Sequence, residues 1–314
     1  MEEALYSQLG FFNTGIVRSD KEGDFLTSPE VSKYFGKIIR NWIHSESNLK
    51  NIIEIGSGTG SLIEQIGIKE ITAVELSSTA REELIKKGID THTTIDELTT
   101  KTSDLIFGNE ILDNIPCSIG LYKDEGWYEK VVLLEENSLA YGLRPIRNEE
   151  LDWINKNNIV PNEDYEFEIQ VNIDKFLNSV IKKINPEKIL LFDYGYEQKN
   201  RDKRMYSSLL RTYKNHHLSV DPIDDPGNVD ITYDVNFSSI SSELKYLGYD
   251  VTLKLQRDFL LDNGFNIFFD ELQQKYIAAE GIDKLKINSE LNGMKAIVDS
   301  NGLGGFYCLI AEKL

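Results

Sequence analysis

A doubly wound α/β sheet with helices on both faces is the fold that the chain predicts. Three observations carry this expectation. Apolar runs of strand length alternate with helical segments from "NIIEI" (51–55) to "SDLIFGNE" (103–110). A glycine-rich turn, "EIGSGTGSL" (54–62), leads from the first of these strands into a helix. The rhythm returns at "KILLFDYGY" (188–196), after an interval with a different pattern. With 314 residues, 40% of them hydrophobic, the chain can bury one large core or a core with a sizeable insertion.

The elements follow in order. Residues 1–25 read as a helix and a Gly-containing loop. "TSPEVSKYFGKIIRNWI" (27–43) reads as one helix, with Ser28 as N-cap, Pro29 in the first turn and Glu30 at the positive end. Val31, Phe35, Ile38, Ile39 and Trp42 recur at helical spacing and mark its buried face. "ITAVEL" (71–76) is a second strand, and "STAREELIKKG" (78–88) a helix that stops at Gly88. "DTHTT" (90–94) is a weak third strand, followed by a short helix after Ile95, and "SDLIFGNE" is the fourth strand with its exit.

From Cys117 to Ile146 the pattern becomes strand-like, with hairpin turns at Asp124-Glu125-Gly126 and Glu136-Asn137-Ser138. Residues 148–157 and 172–184 read as helices. The expected organisation is therefore an N-terminal helical extension (1–50), a core (51–116 and 186–314) and an insertion (117–185). Residues 196–240 read as a long polar loop, a length usually tied to function or motion. "GYDVTLKLQRDFLLDNGF" (248–265), a helix near 269–279 and the closing strand "GGFYCLIAEK" (304–313) complete the chain.

Composition narrows the function. The formal net charge of -18 repels phosphate backbones, which argues against a nucleic-acid partner. Basic peptides or cationic protein surfaces suit it better, although acidic charge can also serve solubility alone. Cys117 and Cys308 are too few for a disulfide framework, which fits a reducing compartment. His44, His92, His216 and His217 show no zinc-ligand spacing with them. The N-terminus "MEEALYSQLGFF" lacks the marks of a secretory or transit signal, and no apolar run reaches the roughly 18 residues of a membrane span. The expected location is the cytoplasm.

The glycine turn carries the chemistry. Glycines accept positive φ and admit a ligand close to the backbone, and the helix behind them offers free N–H groups. A dinucleotide or S-adenosylmethionine could lie there; a tight turn without a ligand is the plain alternative. The spacing is Glu54-x-Gly56-x-Gly58-x-Gly60, whereas the dinucleotide pattern G-x-G-x-x-G would put its third glycine at Ser61. Glu54 is unfavourable beside a pyrophosphate and favourable beside an ammonium or sulfonium. Glu75, ending the second strand, is placed to accept hydrogen bonds from ribose hydroxyls of either cofactor.

Further blocks occur in a fixed order: "GDFLTSPEVSKYFG" (23–36), the glycine turn, "GNEILDNIP" (108–116), "GWYEKVV" (126–132), "LLFDYGY" (190–196) and "PGNVDITYDVNFSSI" (226–240). Together they make the chain resemble the MidA family of S-adenosylmethionine-dependent methyltransferases, over roughly residues 5–312. That family includes the mitochondrial arginine methyltransferase needed for assembly of respiratory complex I. The resemblance implies a Rossmann-like class I methyltransferase sheet, S-adenosylmethionine as cofactor with S-adenosylhomocysteine as product, and a protein arginine, carried on a basic segment, as acceptor. Relatives often carry aromatic residues where Ile111 and Leu112 stand, and an acid or Ala in place of Asn114.

On this reading Glu110 and Asp113, at the exit of the fourth strand, bind and orient the acceptor, sharing a face if the segment turns helically. Asn109 holds the methionine end of the cofactor, and Thr27 and Ser28 close over its carboxylate. Plain capping is the other reading of Thr27, Ser28 and Asp113. Asp193 and Tyr194 line an acceptor channel or pack. "DVNFSS" (234–239) folds over the substrate or caps a helix. A different acceptor, a small molecule included, and a non-catalytic assembly factor that keeps the cofactor fold are the alternative functions; a dinucleotide oxidoreductase is a third.

Overall fold

The computed structural model describes residues 1–13, 27–46, 49–136, 138–160, 163–203, 209–214, 217–218 and 221–314. The loop expected up to residue 25, the start of "GDFLTSPEVSKYFG", Asn137 of the second hairpin turn and His216 lie outside the described residues.

Seven strands form the central sheet: β1 (Ile52–Ile55), β2 (Ile71–Val74), β3 (Thr91–His92), β4 (Leu105–Asn109), β5 (Lys188–Asp193), β6 (Tyr249–Leu255) and β7 (Tyr307–Lys313). Their order is β6-β7-β5-β4-β1-β2-β3. β7 alone runs antiparallel to its neighbours, β5 and β6, while the other pairs are parallel. This is the methyltransferase-type sheet that the resemblance implies.

Side-chain alternation along the strands feeds two core layers. On one face Ile52, Leu105, Phe107, Leu190, Phe192 and Cys308 pack against the helices Tyr34–Ser45, Ser61–Ile66 and Gln256–Asp262. On the other, Ile53 and Ile106 meet Val180 and Ile184, and Ile189, Leu191 and Leu309 meet Ile173, Leu177, Ile240 and Leu244. Those partners come from the helices Val171–Ile184 and Phe237–Tyr246. Burial from both sides is why these strands read as unbroken apolar runs.

The helix expected over 27–43 is broken. A short helix, Ser28–Val31, is followed by Tyr34–Ser45. Ser32 between them is extended at φ -151°, ψ 118°. Its Oγ accepts the Tyr34 N–H at 3.3 Å and its carbonyl the Phe35 N–H at 3.0 Å, so Ser32 starts the second helix. Thr27, not Ser28, stands at the N-cap of the short helix, and its side chain makes no capping bond.

Within residues 118–169, four strands make a separate antiparallel sheet, in the order Ser138–Pro145, Gly126–Glu135, Ser118–Lys123, Tyr165–Ile169. Residues 196–240 hold more regular structure than their polarity suggests. Leu210–Lys214, His217–Leu218 and Asp230–Tyr233 form a three-stranded sheet. The N-terminal segment docks on it, burying Leu5 and Phe11 against Val229 and Ile231. Asn236 caps the helix Phe237–Tyr246, its Oδ1 accepting the N–H groups of Ser238 and Ser239 at 3.2 and 3.3 Å.

Candidate active site

The strand order reverses between β1 and β4, and a cavity of about 480 Å³ opens at their carboxyl ends. This is where an open α/β sheet binds ligands. Glu54, Gly56, Gly58, Glu75, Asn109, Glu110 and Thr27 all line it.

The turn after β1 uses its glycines as the spacing predicts. Gly56, Gly58 and Gly60 have φ of 69°, 52° and 86°. A Cβ on Gly56 would lie 2.3 Å from Ile111 Cγ2, so the cradle has no room for one. Gly60 lies off the cavity wall; its place is filled by packing, since a Cβ there would meet Leu84 Cδ2 at 2.7 Å. Glu75 locks the loop. Its Oε2 accepts the Gly58 N–H at 2.8 Å and its Oε1 the Ser77 N–H at 2.7 Å. Burial raises its pKa, against the pull of those two amides.

Glu54 is buried at the end of β1, and its Oε2 has no hydrogen-bond partner. Burial pushes its pKa well above the usual carboxylate range. A buried, unmatched acceptor on a cavity wall suits a cationic donor.

The exit of β4 departs from expectation. Residues 110–116 form no helix, and Glu110 takes φ 52°. Its N–H is held by the Phe192 carbonyl at 2.8 Å, which sets the turn. Glu110 faces the cavity, with Asn109 Nδ2 donating to its Oε1 at 3.0 Å. Burial and the nearby Asp113 charge push its pKa up to about 8.

Asp113 does not join Glu110 on the cavity wall. It is buried behind, where the Tyr194 hydroxyl donates to its Oδ2. Burial raises its pKa to about 6, against that hydrogen bond and the Arg211 charge. Asp193, fully buried, organises the loop from below. Its Oδ2 accepts the N–H groups of Leu112 and Asp113 at 2.8 and 3.2 Å, and its Oδ1 that of Tyr194 at 2.9 Å.

Ser28 also turns away from the cavity; its Oγ donates to Gln256 Oε1 at 3.2 Å in the core. Thr27 remains on the wall, its hydroxyl donating to Glu30. Sequence reasoning missed Glu2, Tyr6 and Phe12, which bring the N-terminal segment to the same cavity. They touch it through a fold contact with residues more than 100 positions away, and no local signal marks that: Tyr6 Oη donates to the Asn114 carbonyl at 3.1 Å.

A switch-point cavity, a glycine turn and a carboxylate at the end of each flanking strand define a Rossmann-like cofactor-binding protein that suits a cationic ligand. The family match is more specific: residues 36–252 fit the model of the family described as "Putative S-adenosyl-L-methionine-dependent methyltransferase", and the chain belongs to that family.

Among similar proteins, the Caenorhabditis elegans homolog of the mitochondrial protein arginine methyltransferase NDUFAF7 is 25% identical, over 77% of this chain and 66% of its own length. The zebrafish (Danio rerio) NDUFAF7 is 24% identical, over 85% of this chain and 72% of its own. The Drosophila melanogaster homolog is matched over 60% of its length, so the chain spans somewhat less than two thirds of that relative and of the Caenorhabditis elegans one. A crystal structure of a Burkholderia thailandensis protein bound to S-adenosyl-homocysteine superposes with a TM-score of 0.85 at 22% identity, covering 100% of this chain and 86% of that one.

Proposed function

We propose that the chain is an S-adenosylmethionine-dependent methyltransferase whose acceptor is a cation, an arginine on a protein. One observation carries the reading. Among the described residues the cavity is lined by five acidic side chains, Glu2, Glu30, Glu54, Glu75 and Glu110, and by no Lys, Arg or His. Such a site repels phosphates and attracts sulfonium, ammonium and guanidinium groups.

The residues fit the cofactor. Glu54 would take its ammonium through the unpartnered Oε2, and Glu75 would accept from its ribose hydroxyls. Gly56 and Gly58 would let it lie against the backbone. When bound, S-adenosylmethionine supplies a methyl group on a sulfonium, a neutral leaving group on transfer.

The chain's task is then positioning and electrostatics. An arginine side chain arrives protonated, because its pKa exceeds about 12. Glu110 is the cavity carboxylate at the acceptor end. It carries a proton at neutral pH in the free protein. To hold a guanidinium it gives that proton to solvent; it then aims one nitrogen at the methyl position and, as a carboxylate, takes up the proton which that nitrogen sheds as its bond to the methyl forms. Asp113 keeps a negative charge behind it, through the Tyr194 hydrogen bond. The protein names of the relatives support arginine as the acceptor, and a basic segment suits the acidic surface.

The test is incubation with methyl-labelled S-adenosylmethionine and an arginine-rich peptide pool, followed by acid hydrolysis. Labelled mono- or dimethylarginine is expected. Cofactor binding without label on any arginine would overturn the acceptor.

A further inference from the structure

Two aromatic rings on the cavity wall have no part in the scheme above. Tyr6 and Phe12 stack with centroids 5.5 Å apart and planes 24° from parallel, and both side chains line the cavity. They are held firmly. Leu5 and Phe11, their sequence neighbours, are fully buried against Val229 and Ile231. Phe11 braces Phe12 edge-on at 5.2 Å. Tyr6 Oη donates to the Asn114 carbonyl, and Asn114 Nδ2 donates to Asp230 Oδ1 at 2.9 Å. The pair is thus tied to the loop that carries Glu110, on the side of the cavity that Asn114, Ile115 and Pro116 line. Tyr6 is also within electrostatic reach of Asp230, Asp113 and Glu75, so the pair borders the place assigned to the ribose as well as the loop of Glu110.

We infer that Tyr6 and Phe12 form an aromatic subsite for the cationic acceptor group, facing it while Glu110 neutralises it. This deepens the proposed reading and rests on it for the position of the methyl. A planar guanidinium or a methylated ammonium is weakly hydrated at its faces, and aromatic rings attract such cations by their negative π-faces. A carboxylate and an aromatic surface on one wall select a flat or alkylated cation over a compact, strongly hydrated one.

The probes are N-acetyl-arginine-methylamide and tetramethylammonium, titrated by calorimetry into the protein saturated with S-adenosylhomocysteine. F12L keeps apolar volume and loses the π-face; F12Y keeps both. Cation–π attraction at a partly desolvated site predicts a Kd for both probes about three- to thirty-fold weaker in F12L, near wild type in F12Y, with S-adenosylhomocysteine affinity unchanged in each. Loss of S-adenosylhomocysteine affinity in F12L with probe binding intact would assign the pair to the cofactor and overturn the inference. So would equal probe affinity in wild type and F12L, or no probe binding to wild type. Probe binding that follows this pattern without methyl transfer to any arginine would leave the subsite standing and overturn the proposed reaction.

Discussion

Glu75 Oε2 accepts the backbone N–H of Gly58 at 2.8 Å, so a side chain at the end of β2 holds the turn that follows β1. The carboxylate that would receive the ribose also shapes the loop that would receive the rest of the cofactor.

E75A is therefore expected to act twice. Hydrogen bonds to charged groups contribute about 1.5–3 kcal/mol each. Cofactor affinity measured by calorimetry should fall at least tenfold, and Tm should drop even without cofactor. A variant with normal affinity would remove Glu75 from the site.

Glu54 gives the opposite sign for stability. Its folded pKa lies well above its unfolded value, because burial disfavours the charge. The folded protein binds the extra proton, so stability is fully present below about pH 4.5 and is lost as pH rises through the folded pKa. In E54Q that loss is absent. The Tm of E54Q minus that of wild type should grow more positive from pH 5 to pH 8, while affinity for S-adenosylmethionine falls at least tenfold. A pH-independent difference would show that Glu54 is already ionised.

Glu110, with its pKa near 8, sets a pH dependence of its own. The carboxylate form is needed to hold a cation, so kcat/KM for an arginine peptide should rise with pH up to about 8 and level off above. E110Q should lose most activity and flatten that rise, with cofactor affinity within about twofold of wild type. An unchanged pH profile in E110Q would assign the ionisation to another group.

Asp193 supports the same loop without touching the cavity. D193N replaces an acceptor oxygen by an amide that faces the Leu112 and Asp113 N–H groups or abandons that of Tyr194. A loss of about 1–3 kcal/mol in denaturant stability is expected. Acceptor turnover should fall more than cofactor affinity, because the displaced residues flank Glu110. Equal losses of both would indicate a general collapse of the site.

The sheet and the glycine-turn side of the cavity are legible in the sequence, and the Glu110 side only partly so. β1, β2, β4 and β5 announce themselves because both of their faces are buried. Gly56 and Gly58 do so because their positive φ leaves few other residues. Glu110 and Asp113 share a face only if their segment turns helically, and the Phe192 carbonyl and Asp193 carboxylate take the N–H groups of the segment and bend it otherwise. The break at Ser32 has a similar origin: its own oxygens take the Tyr34 and Phe35 N–H groups and turn the chain into the helix that follows. Asp230–Tyr233 went unread as a strand because its polar residues are buried with partners far away in the chain, such as Asn114 for Asp230. Tyr6 and Phe12 left no trace, since what places them is the packing of Leu5 and Phe11 on that strand.

The position of β7 has a bearing on how the molecule comes into being. β7 lies between β5 and β6, yet it is the last of the seven to leave the ribosome. Until it arrives, β6 has no strand to pair with, and β5 presents a naked apolar edge. Such edges invite association with other chains during synthesis, at about 5–20 residues per second. The helices between β6 and β7, Gln256–Asp262, Phe265–Ala278 and Gly281–Ala296, prolong that exposure. A nascent chain halted before Tyr307 should thus be a better chaperone client than the finished protein.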